Sequence, residues 1–230
     1  MEAIVLAGGL GTRLRSVVSN LPKPMAPIED TPFLEYILKY LQRNSITRVV
    51  LSVGYKWETI KDYFGDNFEG IELIYSIEDE PLGTGGAIKK AIENINSEEV
   101  FIINGDTFFD VDLSLLRKEF HTNHSQLLLS LKEMHNFDRY GCVEIDASHN
   151  IVAFSEKAAR VVGSINGGIY LMKSKVFNRY KLPYIFSFEE FMQDEFRNLN
   201  ATGLVFKNYF IDIGIPEDYA KAQNELKHHI

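Results

Sequence analysis

Apolar positions along this chain fall into two rhythms that alternate through its first half. Residues 3–6 and 48–53 are short runs rich in β-branched and apolar side chains, the pattern of strands buried on both faces. Between them Phe33, Ile37, Leu38 and Leu41 recur at helical spacing behind a Thr31-Pro32 start signal. The alternation continues with a helix predicted over 57–64, a strand over 72–77, a helix over 86–95 and a buried strand over 100–103. Strands that alternate with helices imply right-handed βαβ units, hence a Rossmann-like, mainly parallel sheet flanked by helices. The second half changes rhythm. Strands predicted over 127–131, 141–145, 151–154 and 165–171 are separated by short polar turns, which points to a small antiparallel lid. Helices over 187–199 and 216–227 return the chain to the core. No linker, repeat or low-complexity stretch interrupts it, so a single α/β domain over residues 1–230 is expected.

Composition adds exclusions. A chain of 230 residues with 45% hydrophobic content can bury a substantial core. No apolar run approaches the ~18 residues needed to cross a bilayer. Met1-Glu2-Ala3 leads straight into the first strand, so neither a signal peptide nor a membrane partner is expected. Cys142 is the lone cysteine, which excludes an internal disulfide and favours a reducing compartment, with the cytoplasm as the expected location. A net charge of −8 argues against non-specific nucleic-acid binding. Residues 1–27 reverse that sign locally, because Arg13, Arg15 and Lys23 stand against Glu2 alone.

That basic segment is also the richest in chemistry. Leu6-Ala7-Gly8-Gly9-Leu10-Gly11-Thr12-Arg13-Leu14 closes a strand with three glycines, a hydroxyl and a guanidinium, and Leu21-Pro22-Lys23-Pro24-Met25 follows. Glycines let backbone amides wrap a phosphate, Arg13 offers a planar fork to its oxygens and Lys23 a compact second charge. A dinucleotide fingerprint is excluded because Leu14 stands where its third glycine belongs, and no Gly-Lys-Ser/Thr string of a Walker loop occurs. Asn104-Gly105-Asp106 ends a buried strand, and Asp212-Ile213-Gly214 ends another. Two carboxylates that converge repel unless a cation lies between them, and Mg²⁺ takes one or two carboxylates with substrate phosphates. The six histidines show no ligand spacing. Pro81-Leu82-Gly83-Thr84-Gly85-Gly86 is a second glycine-rich turn, read either as a helix start capped by Thr84 or as a flat platform for a base. Glu78 lies just upstream; a carboxylate accepts from both the N1–H and the N2–H₂ of guanine and has less to bind on uracil or thymine.

The combination G-G-x-G-T-R…P-K-P-M resembles the signature of the sugar nucleotidyltransferases (sugar-1-phosphate pyrophosphorylases), and the resemblance runs from Ile4 to about Tyr219. It implies the nucleotide-diphospho-sugar transferase fold and nucleotide contacts at Leu6, Ala7, Gly8, Gly9, Gly11, Thr12, Arg13, Lys23, Glu78, Pro81, Gly83, Thr84 and Asp106. Ser155-Glu156-Lys157 resembles the family's F-x-E-K element, Asn166-Gly167-Gly168-Ile169-Tyr170 its N-x-G-x-Y segment and Arg139-Tyr140-Gly141 its R-Y-G turn. These imply sugar-phosphate contacts at Asn104, Tyr140, Gly141, Glu156, Lys157, Asn166, Gly167 and Asp212, with Asp106 and Asp212 holding Mg²⁺. Residues 1–110 would then serve mainly the nucleotide and 111–230 mainly the sugar phosphate. The pattern departs at Ala158, where the family often has proline, and at Phe210-Ile211, where a tryptophan is frequent. The chain ends at Ile230, one helix after Asp212, so the C-terminal β-helix of many relatives is not expected.

What the resemblance implies chemically is attack by a sugar 1-phosphate oxygen on the α-phosphorus of a nucleoside triphosphate, with pyrophosphate leaving. Arg13, Lys23 and Asp106 would be catalytic: Arg13 on the pyrophosphate, Lys23 on the α-phosphate, Asp106 on the metal, with Lys157 fixing the attacking phosphate. Within the family, the runs E-P-L-G-T-G-G-A-I, N-G-D-T-F-F-D, D-R-Y-G and S-I-N-G-G-I-Y look most like the D-glycero-α-D-manno-heptose 1-phosphate guanylyltransferases. That implies GTP as the nucleotide and GDP-heptose for bacterial surface polysaccharides (capsule or lipopolysaccharide). Mannose-1-phosphate guanylyltransferases and glucose-1-phosphate uridylyl- or thymidylyltransferases share most of these motifs. A non-catalytic sensor of nucleotide sugars is a different class, and it would have lost the metal carboxylates or cations that this chain retains. The sequence leaves room for a homo-oligomer without fixing one.

Overall fold

The computed structural model describes residues 1–9 and 21–230. Strand β1 (Glu2–Leu6) has Ala3, Ile4 and Val5 wholly buried. Ala3 and Val5 join one hydrophobic cluster and Ile4 another, as period-two alternation requires of a strand covered on both faces. A two-residue hairpin of β2 (Pro27–Ile28) and β3 (Thr31–Pro32) delivers the chain into α1 (Phe33–Arg43). That helix buries Phe33, Leu34, Ile37, Leu38 and Leu41 along one stripe. Then come β4 (Arg48–Val53), α2 (Trp57–Phe64), β5 (Asn67–Phe68), β6 (Ile71–Ile77), α3 (Gly83–Ile92), β7 (Glu99–Asn104) and β8 (Thr107–Phe109). β1, β4 and β6 pair in parallel in that order, while β7 pairs in parallel with the other edge of β1. The direction of sheet growth therefore reverses at β1. Open α/β sheets bind ligands in the crevice this creates at the carboxyl ends of the strands.

The remaining elements are α4 (Leu113–Thr122), β9 (Leu127–Phe137), β10 (Cys142–Ile145), β11 (Ile151–Ser155), β12 (Arg160–Lys173), α5 (Phe188–Glu195), β13 (Thr202–Phe206), β14 (Phe210–Asp212) and α6 (Pro216–Glu225). Residues 169–173 of β12 pair antiparallel with β7 and extend the main sheet, whereas residues 160–166 pair with the outer half of β9. β10 and β11 continue outward as an antiparallel extension. The antiparallel strands expected from the sequence are thus present as an outgrowth of the central sheet, which has ten strands among the described residues. The β12–β9 register shifts between Asn166 and Tyr170. Gly168 lies in that shift with φ of 76°, a region glycine enters without the Cβ penalty.

Apart from the two- and three-residue strands β2, β3, β5 and β8, two elements lie outside the sequence expectation. α4 buries only Leu113, Leu116 and Phe120 among its ten residues, too thin a stripe to read from patterning. Its start is nevertheless signalled by Asp112, whose carboxylate accepts from the Ser114 amide at 2.8 Å. β13 runs parallel to β9, and Gly203 dilutes its apolar run. Helix α3 covers Gly83–Ile92 rather than 86–95, because the amides of Asn94 and Ile95 turn back to Ala91 and Ile92 at 3.0 and 2.9 Å in a tight 3₁₀-type exit.

Gly105 closes the crevice. Its amide donates to the Leu6 carbonyl at 3.0 Å. A Cβ there would lie 3.0 Å from the Leu6 carbonyl carbon and 3.3 Å from Ala7 Cα, atoms that yield only if β1 moves. Gly105→Ala should therefore destabilise the fold by about 1–3 kcal/mol, read as a lower urea midpoint at unchanged slope.

Candidate active site

The carboxyl ends of the four parallel strands converge on one opening. β1 leads into Gly8 and Gly9, β4 into Gly54, β6 into Glu78 and β7 into Gly105 and Asp106, and all six line a cavity of about 850 Å³. A second cavity of about 340 Å³ adjoins the antiparallel extension, lined by Tyr140, Gly141, Lys157, Asn166 and Asp212 among others. Both are wide enough for small, water-borne ligands.

Asp106 and Asp212 come together through backbone pairing. β14 runs antiparallel to β8 with Asp212 opposite Thr107, and the Ile213 amide donates to the Asp106 carbonyl at 3.0 Å. The two aspartates face different cavities across this seam. Lys23 Nζ lies 2.5 Å from Asp106 Oδ2, with the lysine side chain only 10% exposed. Prolines on both sides hold it in a short 3₁₀ turn (Lys23–Met25). Asp212 Oδ1 accepts from the Gly214 amide at 2.7 Å and Oδ2 from the Tyr140 hydroxyl at 3.5 Å. Among the described residues, no group of three or more acidic, histidine or cysteine side chains gathers to hold a metal. The donor set here is two carboxylates, hard oxygen ligands that fit a Mg²⁺ completed by phosphate oxygens.

On the base side, Glu78 is held by two donors. Ser52 Oγ donates to its Oε1 at 3.1 Å and the Leu82 amide to its Oε2 at 3.2 Å. Each oxygen keeps a further lone pair for the cavity. Pro81, Gly83 and Thr84 line the same wall. Thr84 does not cap α3: its hydroxyl donates to Glu189 Oε2 at 2.6 Å and accepts from the Phe188 amide at 2.8 Å. The helix-cap reading of Thr84 is thereby corrected, because its hydroxyl is committed to α5.

On the other side, Asn166 Nδ2 donates to the Tyr170 hydroxyl at 2.7 Å. Tyr170 is 1% exposed, and burial pushes its phenol far above the ordinary range, with the Glu189 charge adding to the effect. Arg139 Nη2 pairs with Asp218 Oδ2 at 2.9 Å on the rim. Of the residues anticipated from the sequence, Leu6, Gly8, Gly9, Lys23, Glu78, Pro81, Gly83, Thr84, Asn104 and Asp106 line the larger cavity. Ala7 is buried and lines neither cavity, Glu156 is exposed between Ser155 and Lys157 of the smaller one, and Gly167 is buried against the Phe109 ring. Gly11, Thr12 and Arg13 lie outside the described residues. Tyr55, Glu189, Gln193 and Asp218 line the cavities without any motif that marks them.

Residues 2–229 match the family model described as Nucleotidyl transferase, and the chain belongs to that family. It is 52% identical over 219 residues to a D-glycero-alpha-D-manno-heptose 1-phosphate guanylyltransferase of Campylobacter jejuni, covering 95% of this chain and 97% of that one. It is 52% identical over 231 residues to a protein of the same description from Aneurinibacillus thermoaerophilus, over 100% of both chains. Among solved structures, HddC from Yersinia pseudotuberculosis superposes with a TM-score of 0.88 at 39% identity, covering 97% of this chain and 98% of that one. HddC has also been solved complexed with GMP-PN.

Tyr140 gives the site a spectroscopic handle. Burial lifts its phenol to about 12, and the neighbouring Asp212 charge adds to the rise. The folded protein thus holds this proton more tightly than the unfolded chain, whose tyrosines titrate near about 10. Its stabilising contribution is complete below pH ~10 and is lost as pH climbs towards ~12. Phenolate absorbance of wild type minus Tyr140→Phe should show a tyrosine titrating near 12; a difference curve centred at 10 would contradict the assignment.

Proposed function

We propose that this chain condenses GTP with D-glycero-α-D-manno-heptose 1-phosphate to give GDP-heptose and pyrophosphate. The observation that carries this is the pair of adjoining cavities meeting at Asp106 and Asp212, one edged by Lys23 and the other by Lys157. The full-length 52% identity to two heptose guanylyltransferases supports the choice of substrates. Residues 1–110 would serve mainly the nucleotide and 111–230 mainly the sugar phosphate, within one domain. We propose a cytoplasmic location, consistent with a single buried thiol at Cys142, and a role for the product in bacterial surface polysaccharide.

The attacking phosphate oxygen is already an anion, so no side chain has to remove a proton. The protein's task is alignment and charge compensation. Lys23, shielded beside Asp106, is positioned to follow charge on the α-phosphate. Lys157 fixes the incoming phosphate from the smaller cavity. The amides of Gly8, Gly9, Gly11 and Thr12, together with Arg13, hold the leaving pyrophosphate. Asp106 and Asp212 would hold a Mg²⁺, which would supply charge neutralisation for the substrate phosphates. Glu78 reads the base, its carboxylate fixed by Ser52 and Leu82 so that it meets guanine's paired donors without rearrangement.

Pyrophosphate release with Mg²⁺ across GTP, UTP, dTTP, CTP and ATP, each against a panel of sugar 1-phosphates, tests the assignment. Release should be greatest for GTP with the manno-heptose 1-phosphate. Tight nucleotide-sugar binding without turnover would replace the enzyme with a sensor. Arg13→Ala should lower kcat by about 10²–10³-fold with the fold intact, and a loss below about tenfold would remove Arg13 from the mechanism. Glu78→Gln should narrow the preference for GTP over UTP, and an unchanged ratio would take Glu78 out of base recognition.

A further inference from the structure

Glu189 is the one side chain among the described residues that lines both cavities. It sits in the first turn of α5, half-buried, and no cation pairs with it among the described residues. Thr84 Oγ1 donates to its Oε2 at 2.6 Å, and Ser187 Oγ donates to the same atom at 3.0 Å. Around that contact, residues 82–86 and 186–188 are laced together. The Gly85 amide donates to the Phe186 carbonyl at 2.9 Å, the Phe186 amide to the Leu82 carbonyl at 3.1 Å and the Phe188 amide to the Thr84 hydroxyl at 2.8 Å.

A carboxylate at this junction is unsuited to either phosphate, since like charges repel and no cation offsets it. What it suits is the neutral part of a ligand that carries hydroxyl groups. An ionised carboxylate accepts about four hydrogen bonds, and the two hydroxyls that hold Glu189 both go to Oε2. No donor among the described residues reaches Oε1, so that oxygen keeps its lone pairs for a ligand.

We propose that Glu189 is a specificity-determining residue for the sugar 1-phosphate: Oε1 accepts hydrogen bonds from the hydroxyls of the polyol. Thr84 is the positioning residue that aims it, so the loop facing the nucleotide also sets the contact with the sugar. This rests on the two cavities taking the two substrates of the proposed reaction. The competing account is that Glu189 only favours the start of α5, where an acidic residue complements the helix dipole. That account predicts a loss of stability and no change in substrate affinity.

The experiment is steady-state pyrophosphate release by wild type, Glu189→Gln, Thr84→Val and Thr84→Ser, with GTP and the manno-heptose 1-phosphate varied in turn, alongside thermal melts. Glu189→Gln should raise KM for the sugar 1-phosphate by about tenfold or more, the scale of a hydrogen bond to a charged group. KM for GTP should stay within about threefold of wild type, and the melting temperature within about 3 °C. Thr84→Val, which keeps the volume and the backbone, should raise the same sugar KM, while Thr84→Ser restores it. An unchanged sugar KM in a folded Glu189→Gln or Thr84→Val protein overturns the proposal while leaving the reaction intact. Equal rises in both KM values overturn it as well. If wild type releases no pyrophosphate with any pair, the reaction itself is wrong and the proposal falls with it.

Discussion

Strand β1 exchanges backbone hydrogen bonds on both edges, with β4 on one side and β7 on the other, and its side chains are buried on both faces. A strand so placed has no freedom to slip, because a one-residue shift would exchange Ile4 for Ala3 and Val5 between two different clusters. That register fixes where the chain leaves the sheet at Gly8 and Gly9. It also fixes where β7 ends, since Leu6 stands opposite Asn104 and accepts from the Gly105 amide. Asp106, its neighbour Lys23 and, through β8 and β14, Asp212 are all referred to this frame. The chemistry is held by sheet hydrogen bonding, with loops supplying only the final reach.

Electrostatically the protein runs against its own sign. An overall charge of −8 would repel two phosphorylated substrates, yet the crevice keeps a well-shielded ammonium at Lys23 beside an aspartate. Low local dielectric strengthens what such a cation does for a phosphate and also raises the cost of leaving it unpaired. Asp106 meets that second cost between substrates. Glu78 and Glu189 are each held by hydroxyl or amide donors, with no lysine or arginine paired to them among the described residues, as the roles proposed for them require. A carboxylate bound to a cation would be a poor acceptor for a base or a sugar.

The central strands were legible because each is a short apolar run with nothing else it could become: 3–6, 48–53, 72–77 and 100–103 all reappear as strands within a residue or two. The glycine-rich turns and the Asn-Gly-Asp and Asp-Ile-Gly endings stood out for a chemical reason, since few folds need those residues after a strand. α4 was hidden because three buried side chains in ten residues do not make a visible stripe. The expected strand over 165–171 already crosses Asn166-Gly167-Gly168; what stayed hidden is the outer end of β12, where Val161 and Val162 are exposed and Gly163 breaks the alternation. Glu189 could not be found from patterning at all. Its partner Thr84 is 105 positions away, and Ser187-Phe188-Glu189 reads as an ordinary helix start.

β12 carries a mechanical consequence. Its fourteen residues run from the outer extension, where Asn166 lines the smaller cavity, into the central sheet, where they pair with β7, whose Asn104 lines the larger one. The shift at Asn166 is no hinge, because Gly167 is packed against Phe109 and Gly168 against the Asn104 side chain. Swinging one half of the cleft against the other would mean stripping backbone hydrogen bonds from β7 or β9, a cost spread over many residues. The spacing of the two cavities is therefore built into the backbone like the gauge of a railway, and the proposed substrates would have to fit it.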